Sequence, residues 1–418
     1  MRNNRREFIK SGVAVGALSV VPHKLSSASE QPKEVAAKID KAMNAPVLRT
    51  EFFKQAVKIA SVELLKSGKQ YLVRVRSTDG AVGIAVAHPS VIATSYPILL
   101  TRVAPFFVGK DARDLDSLLE GVYLHNSNYK WQGLPFWVSV ASTEFAILDL
   151  LGRIAGKPVG ELLGRIVRRE VAVYRASGNR GNSPEKEIEY LRKLIGETGA
   201  KAIKFRLGGR MKYNEETTRR DEALIRLTRK ALGDGMTIYA DANGSYDVPM
   251  AIRIGKMMEE YKLNFLEEPC RFDYYDETKQ IADSLTIPIA GGECESSMRR
   301  FRSMIENDVV QIVQPDLFYF GGLIRSLRVA RMAEAAGMDC TPHMSGDGLG
   351  YLYVLHYASC VPNAGPFQEY KGETEGLPIS SAASSLKSEN GVIKVPTEPG
   401  LGVTIDPDFI RKSTVVSS

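Results

Sequence analysis

Residues 236–269 read MTIYADANGSYDVPMAIRIGKMMEEYKLNFLEEP. The apolar run Met236-Thr237-Ile238-Tyr239-Ala240 closes on Asp241, and Leu263-Asn264-Phe265-Leu266 closes on Glu267, 26 residues later. That interval is about the length of one strand, one helix and two short loops, so the two carboxylates fall at equivalent places in successive βα units. The rhythm continues. Glu293 follows Ile287-Pro288-Ile289-Ala290-Gly291-Gly292, Asp316 follows Val310-Gln311-Ile312-Val313-Gln314-Pro315, and His343 follows Met338-Asp339-Cys340-Thr341-Pro342. From Asp241 to Glu369 the steps are 26, 26, 23, 27 and 26 residues. Short apolar strands that end in polar residues predict a (β/α)₈-type barrel, whose C-terminal strand ends converge on one mouth.

Taken singly, each acid reads best as a solvated loop residue or a helix cap. Capping explains the periodic set poorly. Three carboxylates at one mouth would repel one another unless a cation lay between them. A hard divalent ion with oxygen ligands, Mg²⁺, one per subunit, is the economical expectation for Asp241, Glu267 and Glu293. Zinc fits less well, because no second His or Cys falls on the rim series.

The chain has 418 residues, more than one ordinary barrel needs, so a second domain is expected. Its hydrophobic content of 44% and charged content of 25% are those of a globular enzyme. Residues 1–28 differ from the rest. Asn4-Arg5-Arg6-Glu7-Phe8-Ile9-Lys10 precedes a mild apolar run, Gly12 to Val21, and then Ser26-Ser27-Ala28, a small-residue cleavage pattern. This order resembles a twin-arginine export signal, which delivers a folded protein across a membrane into the periplasm. A basic tail or a membrane anchor is the alternative, but the apolar run is too short to span a bilayer. No stable membrane insertion is expected once the signal is removed. Arg2, Arg5, Arg6, Lys10 and Lys24 against Glu7 leave the segment at +4, which accounts for most of the formal +6 of the whole chain. The remainder is nearly neutral, so nucleic-acid binding has no compositional support. Cys270, Cys294, Cys340 and Cys360 show no CxxC spacing and read as small buried fillers, with a disulfide after export left open.

Behind the signal, residues 29–54 are polar and Lys/Ala-rich and read as a linker. Residues 55–165 read as an α+β capping domain. In it, strands at Lys58–Leu64, Tyr71–Ser77 and Val82–Ala87 include an Asp79-Gly80 hairpin turn, and helical periodicity follows from Ile92 to about Leu163. The barrel is expected over 166–384, beginning with a strand at Glu170–Arg175. The tail, 385–418, is expected to return to the capping domain through short strands around Pro396–Gly402.

The chain resembles the enolase superfamily, specifically the mandelate racemase subgroup with its acid-sugar dehydratases. The resemblance covers roughly residues 55–405. It rests on Phe145-Ala146-Ile147-Leu148-Asp149-Leu150-Leu151-Gly152 with Gly156-Lys157-Pro158-Val159, and on Asp241-Ala242-Asn243, Glu267-Glu268-Pro269, Gly292-Glu293, Gln314-Pro315-Asp316, His343 and Glu369. It implies that Asp241, Glu267 and Glu293 bind Mg²⁺ and that His343, oriented by Asp316, is the acid/base. It also implies that Glu369 hydrogen-bonds or protonates the substrate, that Glu268 and Asn243 support the ligands and the substrate, and that the protein is a homo-oligomer. The chemistry agrees. Removing a proton α to a carboxylate builds an ene-diolate, which a cation on the carboxylate oxygens makes accessible near neutral pH; this superfamily is a standard example, using a Lys or His base. His88 and His356 fall outside the series and are left as structural or of unknown role.

One strand departs from the racemase pattern. Racemases of the subgroup carry Lys-x-Lys at the end of the second barrel strand, the second Lys being the base opposite the His. Here the strand reads Ala202-Ile203-Lys204-Phe205-Arg206. Arginine stays protonated, so Arg206 is a poor base and a good clamp for a carboxylate or hydroxyl, with Lys204 beside it. Racemisation needs an acid/base on each face, whereas loss of water needs one base and an acid for the leaving hydroxyl. The expectation is therefore an exported Mg²⁺-dependent dehydratase of a small-molecule sugar acid. The alternatives are a racemase, epimerase or cycloisomerase with Lys204 as second base, and a binding protein that has lost turnover.

Overall fold

The computed structural model describes residues 32–345, 350–372 and 377–417. The export signal expected at residues 1–28 lies outside the described residues. The first element, α1 (Pro32–Asn44), falls inside the segment expected to be a linker, and that expectation is corrected here. Val35, Ile39 and Met43 recur every four residues and share one helix face, and Ile39 and Met43 are buried. The Lys- and Ala-rich composition hid this stripe.

The capping domain opens with an antiparallel meander, β1 (Ile59–Ser67), β2 (Gln70–Ser77) and β3 (Val82–Val86). Gly80, at φ +89°, makes the Asp79-Gly80 turn, where the Ser77 N–H donates to the Ala81 carbonyl at 3.0 Å. Helices α2 (Pro89–Ile98), α3 (Ala104–Phe107), α4 (Leu115–Leu124), α5 (Leu134–Ala155) and α6 (Val159–Leu163) follow. Every residue of α5 from Phe136 to Gly152 is buried, because one side faces the meander and the other faces the barrel. A Cβ at Gly83 of β3 would lie 2.2 Å from the Ala146 carbonyl, so glycine is what lets sheet and helix close on each other.

The barrel strands are β4 (Glu170–Ala176), β5 (Ala202–Arg206), β6 (Thr237–Asp241), β7 (Phe265–Glu267), β8 (Ile289–Gly291), β9 (Ile312–Val313), β10 (Asp339–Cys340) and β11 (Gln368–Tyr370). Between them run α7 (Pro184–Thr198), α8 (Glu215–Leu232), α9 (Val248–Glu260), α10 (Tyr275–Ser284), α11 (Met298–Glu306), α12 (Leu323–Ala335) and α13 (Gly350–Cys360). All eight strands are parallel, in the order β10-β9-β8-β7-β6-β5-β4-β11. At the mouth, the end strands are tied by side chains: the Met344 N–H donates to Glu369 Oε2 at 3.2 Å, and Lys371 donates to the Met344 carbonyl.

Inside the barrel, Tyr174, Ala202, Tyr239, Phe265 and Ala290 form an apolar floor, with the Tyr239 and Phe265 rings stacked at 3.8 Å. Two residues further along β5, β6 and β7 come Lys204, Asp241 and Glu267. The two-residue period of a strand thus turns one apolar layer into a polar layer above it.

The tail contributes β12 (Ile379–Ser380), β13 (Val392–Lys394), β14 (Thr404–Ile405), α14 (Pro407–Lys412) and β15 (Thr414–Val415). It serves both domains: β13 pairs antiparallel with β4 of the barrel and β15 with β1 of the cap. Pro396–Gly402 itself is irregular, unlike the expected strands, since Pro396 and Pro399 have no N–H to give a ladder.

Candidate active site

The rim residues meet at the barrel mouth. Asp241 and Glu267 end β6 and β7, which pair in register, while Glu293 lies just past β8. Ligand atoms of these three carboxylates all lie within 4.8 Å of one another. Asp316 and His343, beyond β9 and β10, form a parallel bridge with each other.

His343 Nδ1 lies 2.7 Å from Asp316 Oδ2. Asp316 is held hard. It accepts the N–H groups of Phe318 (2.8 Å), Tyr319 (2.7 Å) and Ser345 (2.7 Å), and the Ser345 hydroxyl at 2.8 Å. With Nδ1 facing Asp316, the other ring nitrogen, Nε2, looks across the mouth, 3.3 Å from Glu293 and 3.6 Å from Glu369. Burial pulls the imidazole down, but the Glu293 and Glu369 carboxylates and the Asp316 hydrogen bond outweigh it and hold His343 above its usual range.

Lys204 is fully buried and donates to both oxygens of Glu267, at 2.9 and 2.7 Å, with Glu369 Oε1 at 3.4 Å. Burial opposes the ammonium; Glu267 and Glu369 outweigh it and keep the lysine charged well above its normal range. Burial likewise opposes ionisation of Glu369, yet Lys204, Lys371 and His343 hold its carboxyl far below the usual carboxylate range. Arg206 is spent on Asp241, with its Nε donating to the Ser177 carbonyl at 3.1 Å. The structure places both cations, expected from the sequence to clamp substrate, against the carboxylates of the acid cluster. Asn243 gives its N–H to Asp241 Oδ1 at 2.7 Å and accepts from Arg180, so it braces a carboxylate and a loop.

A divalent cation fits this set. Burial, with Glu267 adding to it and His343 only partly offsetting it, pushes the Glu293 carboxyl up, and one Glu293 oxygen has no hydrogen bond. Glu268 and Asn243 both adopt φ +41°, uncommon for a glutamate, at the turns that follow the ligand strands.

Sequence reasoning missed four contributors. Gln314 Nε2 donates to Glu267 Oε2 at 3.2 Å, Ser345 donates twice to Asp316, Arg180 reaches over from the loop after β4, and Lys371 faces Glu369. Gln314, Ser345 and Lys371 each lie two residues from a rim residue, and Gln314 also stands in the Gln314-Pro315-Asp316 motif, but neither signal says what the side chain touches. His88 also comes near: its ring stacks on Tyr319 at 5.6 Å and meets Phe318 edge-on at 5.3 Å, so the cap presses on the loop that holds Asp316. His356 is structural, bonded to the Gly160 N–H and the Leu401 carbonyl, with burial pushing it down to about 4. All four cysteines are free.

The chain matches "Mandelate racemase / muconate lactonizing enzyme, N-terminal domain" over residues 28–164 and "Enolase C-terminal domain-like" over residues 186–409. It belongs to the mandelate racemase/muconate lactonizing enzyme family of the enolase superfamily. An arabinonate dehydratase from Saccharolobus solfataricus is 28% identical over 335 residues, covering 79% of this chain and 87% of that protein. A structure from Roseobacter denitrificans carrying a provisional racemase name is 34% identical, with TM-score 0.79, over 86% of this chain and 99% of the other. A mandelate racemase/muconate lactonizing protein from Paracoccus denitrificans, complexed with magnesium, is 26% identical, with TM-score 0.77, over 87% and 100%.

Proposed function

We propose that this protein is an exported dehydratase of a sugar acid. On this reading it removes the proton α to the carboxylate, expels the β-hydroxyl as water, and yields a 2-keto-3-deoxy product after the enol tautomerises. The observation that carries the reading is the asymmetry of the mouth: one free base on one side, and a cation locked in carboxylates on the other. His343 Nε2 takes the α proton while Asp316 holds the ring and offsets the charge it gains. Lys204 keeps its proton between Glu267 and Glu369, so it is a poor second base, which disfavours racemisation. Because Glu369 is held ionised, the proton that leaves with the hydroxyl is better supplied by His343, returning the one it took. Glu369 then accepts a hydrogen bond.

Asp241, Glu267 and Glu293 are the residues that would hold Mg²⁺. Such an ion supplies positive charge where negative charge gathers on the substrate carboxylate as the α proton departs. The identity with an arabinonate dehydratase along most of both chains supports the substrate class. The Arg5-Arg6 motif supports export.

The test is to incubate the mature protein with a library of sugar acids and Mg²⁺ in deuterated water. A 2-keto-3-deoxy product with recovered substrate of unchanged configuration is expected, and excess chelator should stop turnover. Recovered substrate that is inverted and labelled at the α carbon would establish a racemase instead. Full activity in chelator would remove the metal assignment.

A further inference from the structure

Next to the three-carboxylate set lies a second group of candidate ligands, displaced toward β8 and chemically different. Glu268, Glu293 and Cys294 each offer one ligand atom, and these atoms lie within 4.8 Å of one another. We propose that they form a second cation site for a thiophilic divalent ion of the zinc or cobalt class, sharing Glu293 with the Asp241–Glu267–Glu293 set.

Two observations carry the proposal beyond the mere grouping of the residues. Glu268 is only 5% exposed, yet its Oε1 has no hydrogen bond, and its Oε2 has only the Asn243 amide at 3.5 Å. Burial, with Glu293 and Glu267 adding to it, pushes the Glu268 carboxyl well up, and a cation seated against the unpartnered oxygen would take the place of the proton it otherwise keeps. The second observation is the thiol. Among the described residues, Cys270 contacts Thr278 Oγ1 at 3.2 Å, Cys340 the Tyr357 hydroxyl at 3.0 Å, and Cys360 the His356 carbonyl at 3.5 Å, whereas Cys294 makes no hydrogen bond and is half-buried at the mouth.

Two carboxylates and a sulfur make a donor set unsuited to Mg²⁺, which takes oxygen ligands, and well suited to Zn²⁺ or Co²⁺. Burial, with the Glu268 and Glu293 carboxylates adding to it, holds the Cys294 thiol well above its usual range, so the ion must displace the thiol's proton to solvent before the sulfur becomes its anionic ligand. Because Glu293 serves both sets, occupation of one site weakens the other. The inference does not depend on the reaction and stands whether or not the protein is a dehydratase.

Titrating metal-free protein with Co²⁺ tests it. The wild type should develop a near-ultraviolet thiolate-to-cobalt charge-transfer band that saturates at one equivalent. The band should vanish in Cys294→Ser, weaken in Glu268→Gln and persist in Cys270→Ser. It should also persist in Asp241→Asn, which removes a ligand from the other set only, so failure of one site is separable from failure of the other. X-ray absorption at the zinc edge of zinc-loaded wild type should show a sulfur neighbour at about 2.3 Å, a readout that needs no variant to fold. Absence of the band and of the sulfur neighbour in wild type, or a band that survives in Cys294→Ser, overturns the proposal.

Discussion

His343 and Arg206 show how much one side chain's neighbours decide. With Nδ1 against Asp316, His343 can serve only through Nε2. His343→Asn should lower kcat by roughly 10²- to 10⁴-fold, the usual contribution of a placed base, and abolish solvent-deuterium exchange at the α carbon of a bound sugar acid. If exchange survives in His343→Asn and disappears in Lys204→Ala, the base has been put on the wrong face. Arg206 spans Asp241 and the Ser177 carbonyl, two partners that a planar guanidinium serves at once and an ammonium does not. Arg206→Lys should therefore shift the affinity of the acid cluster for Mg²⁺ and raise KM, without producing racemisation. Calorimetric Mg²⁺ titration of the variant checks this, and an unchanged metal affinity would count against the pairing.

At the scale of the element, the junction of α5 with α12 joins cap to barrel. Glu144 of α5 is buried and accepts the N–H groups of Leu323 (2.6 Å) and Ile324 (2.9 Å), the first turn of α12. Gly322, at φ +110°, precedes that turn, and a Cβ there would lie 2.0 Å from Glu144 Oε2. Burial pushes the Glu144 carboxyl up to about 8, although the two N–H groups act the other way. A carboxyl raised on folding keeps a proton that the unfolded chain has already released. Its contribution is complete below the unfolded value, about 4.3, and is lost as pH rises toward 8, with a slope of up to about 1.4 kcal/mol per pH unit. Glu144→Gln cannot ionise, so its unfolding temperature should vary less with pH than that of wild type between about pH 5 and 8. Parallel profiles for the two proteins would refute this.

Across the whole molecule, cap and barrel are fastened by the segment ahead of the meander and by an ion pair between α4 and α12. Asp40 of α1 takes Arg302 of α11 at 2.6 Å, and Asp116 of α4 receives the Val47 and Leu48 N–H groups together with Arg328 of α12 at 2.8 Å. Asp116→Ala leaves two amides and a guanidinium without their acceptor, which should cost roughly 1 to 3 kcal/mol. Chemical denaturation should show that loss, and a variant as stable as wild type would mean that the fastening is redundant. The proposed export would also be a property of the whole chain, because a twin-arginine route carries folded protein. Changing Arg5 and Arg6 to Lys should leave folded, metal-competent protein inside the cell, measured by fractionation. Unchanged export of that variant would point to another route.

What the amino-acid sequence determined by itself was whatever depends on period and position along the chain. The βα interval put Asp241, Glu267, Glu293, Asp316, His343 and Glu369 at strand ends, and in a parallel barrel a strand end already specifies the mouth. Only the tertiary structure decided how those groups neutralise one another, since Coulomb energies depend on distances of a few ångströms across different strands. Lys204 and Arg206 therefore read as substrate contacts in sequence, and only the structure shows them lying against Glu267 and Asp241. For the same reason the docked helix α1 read as a linker. A four-residue stripe of Val35, Ile39 and Met43 means little until α11 and α12 supply the surface that buries it.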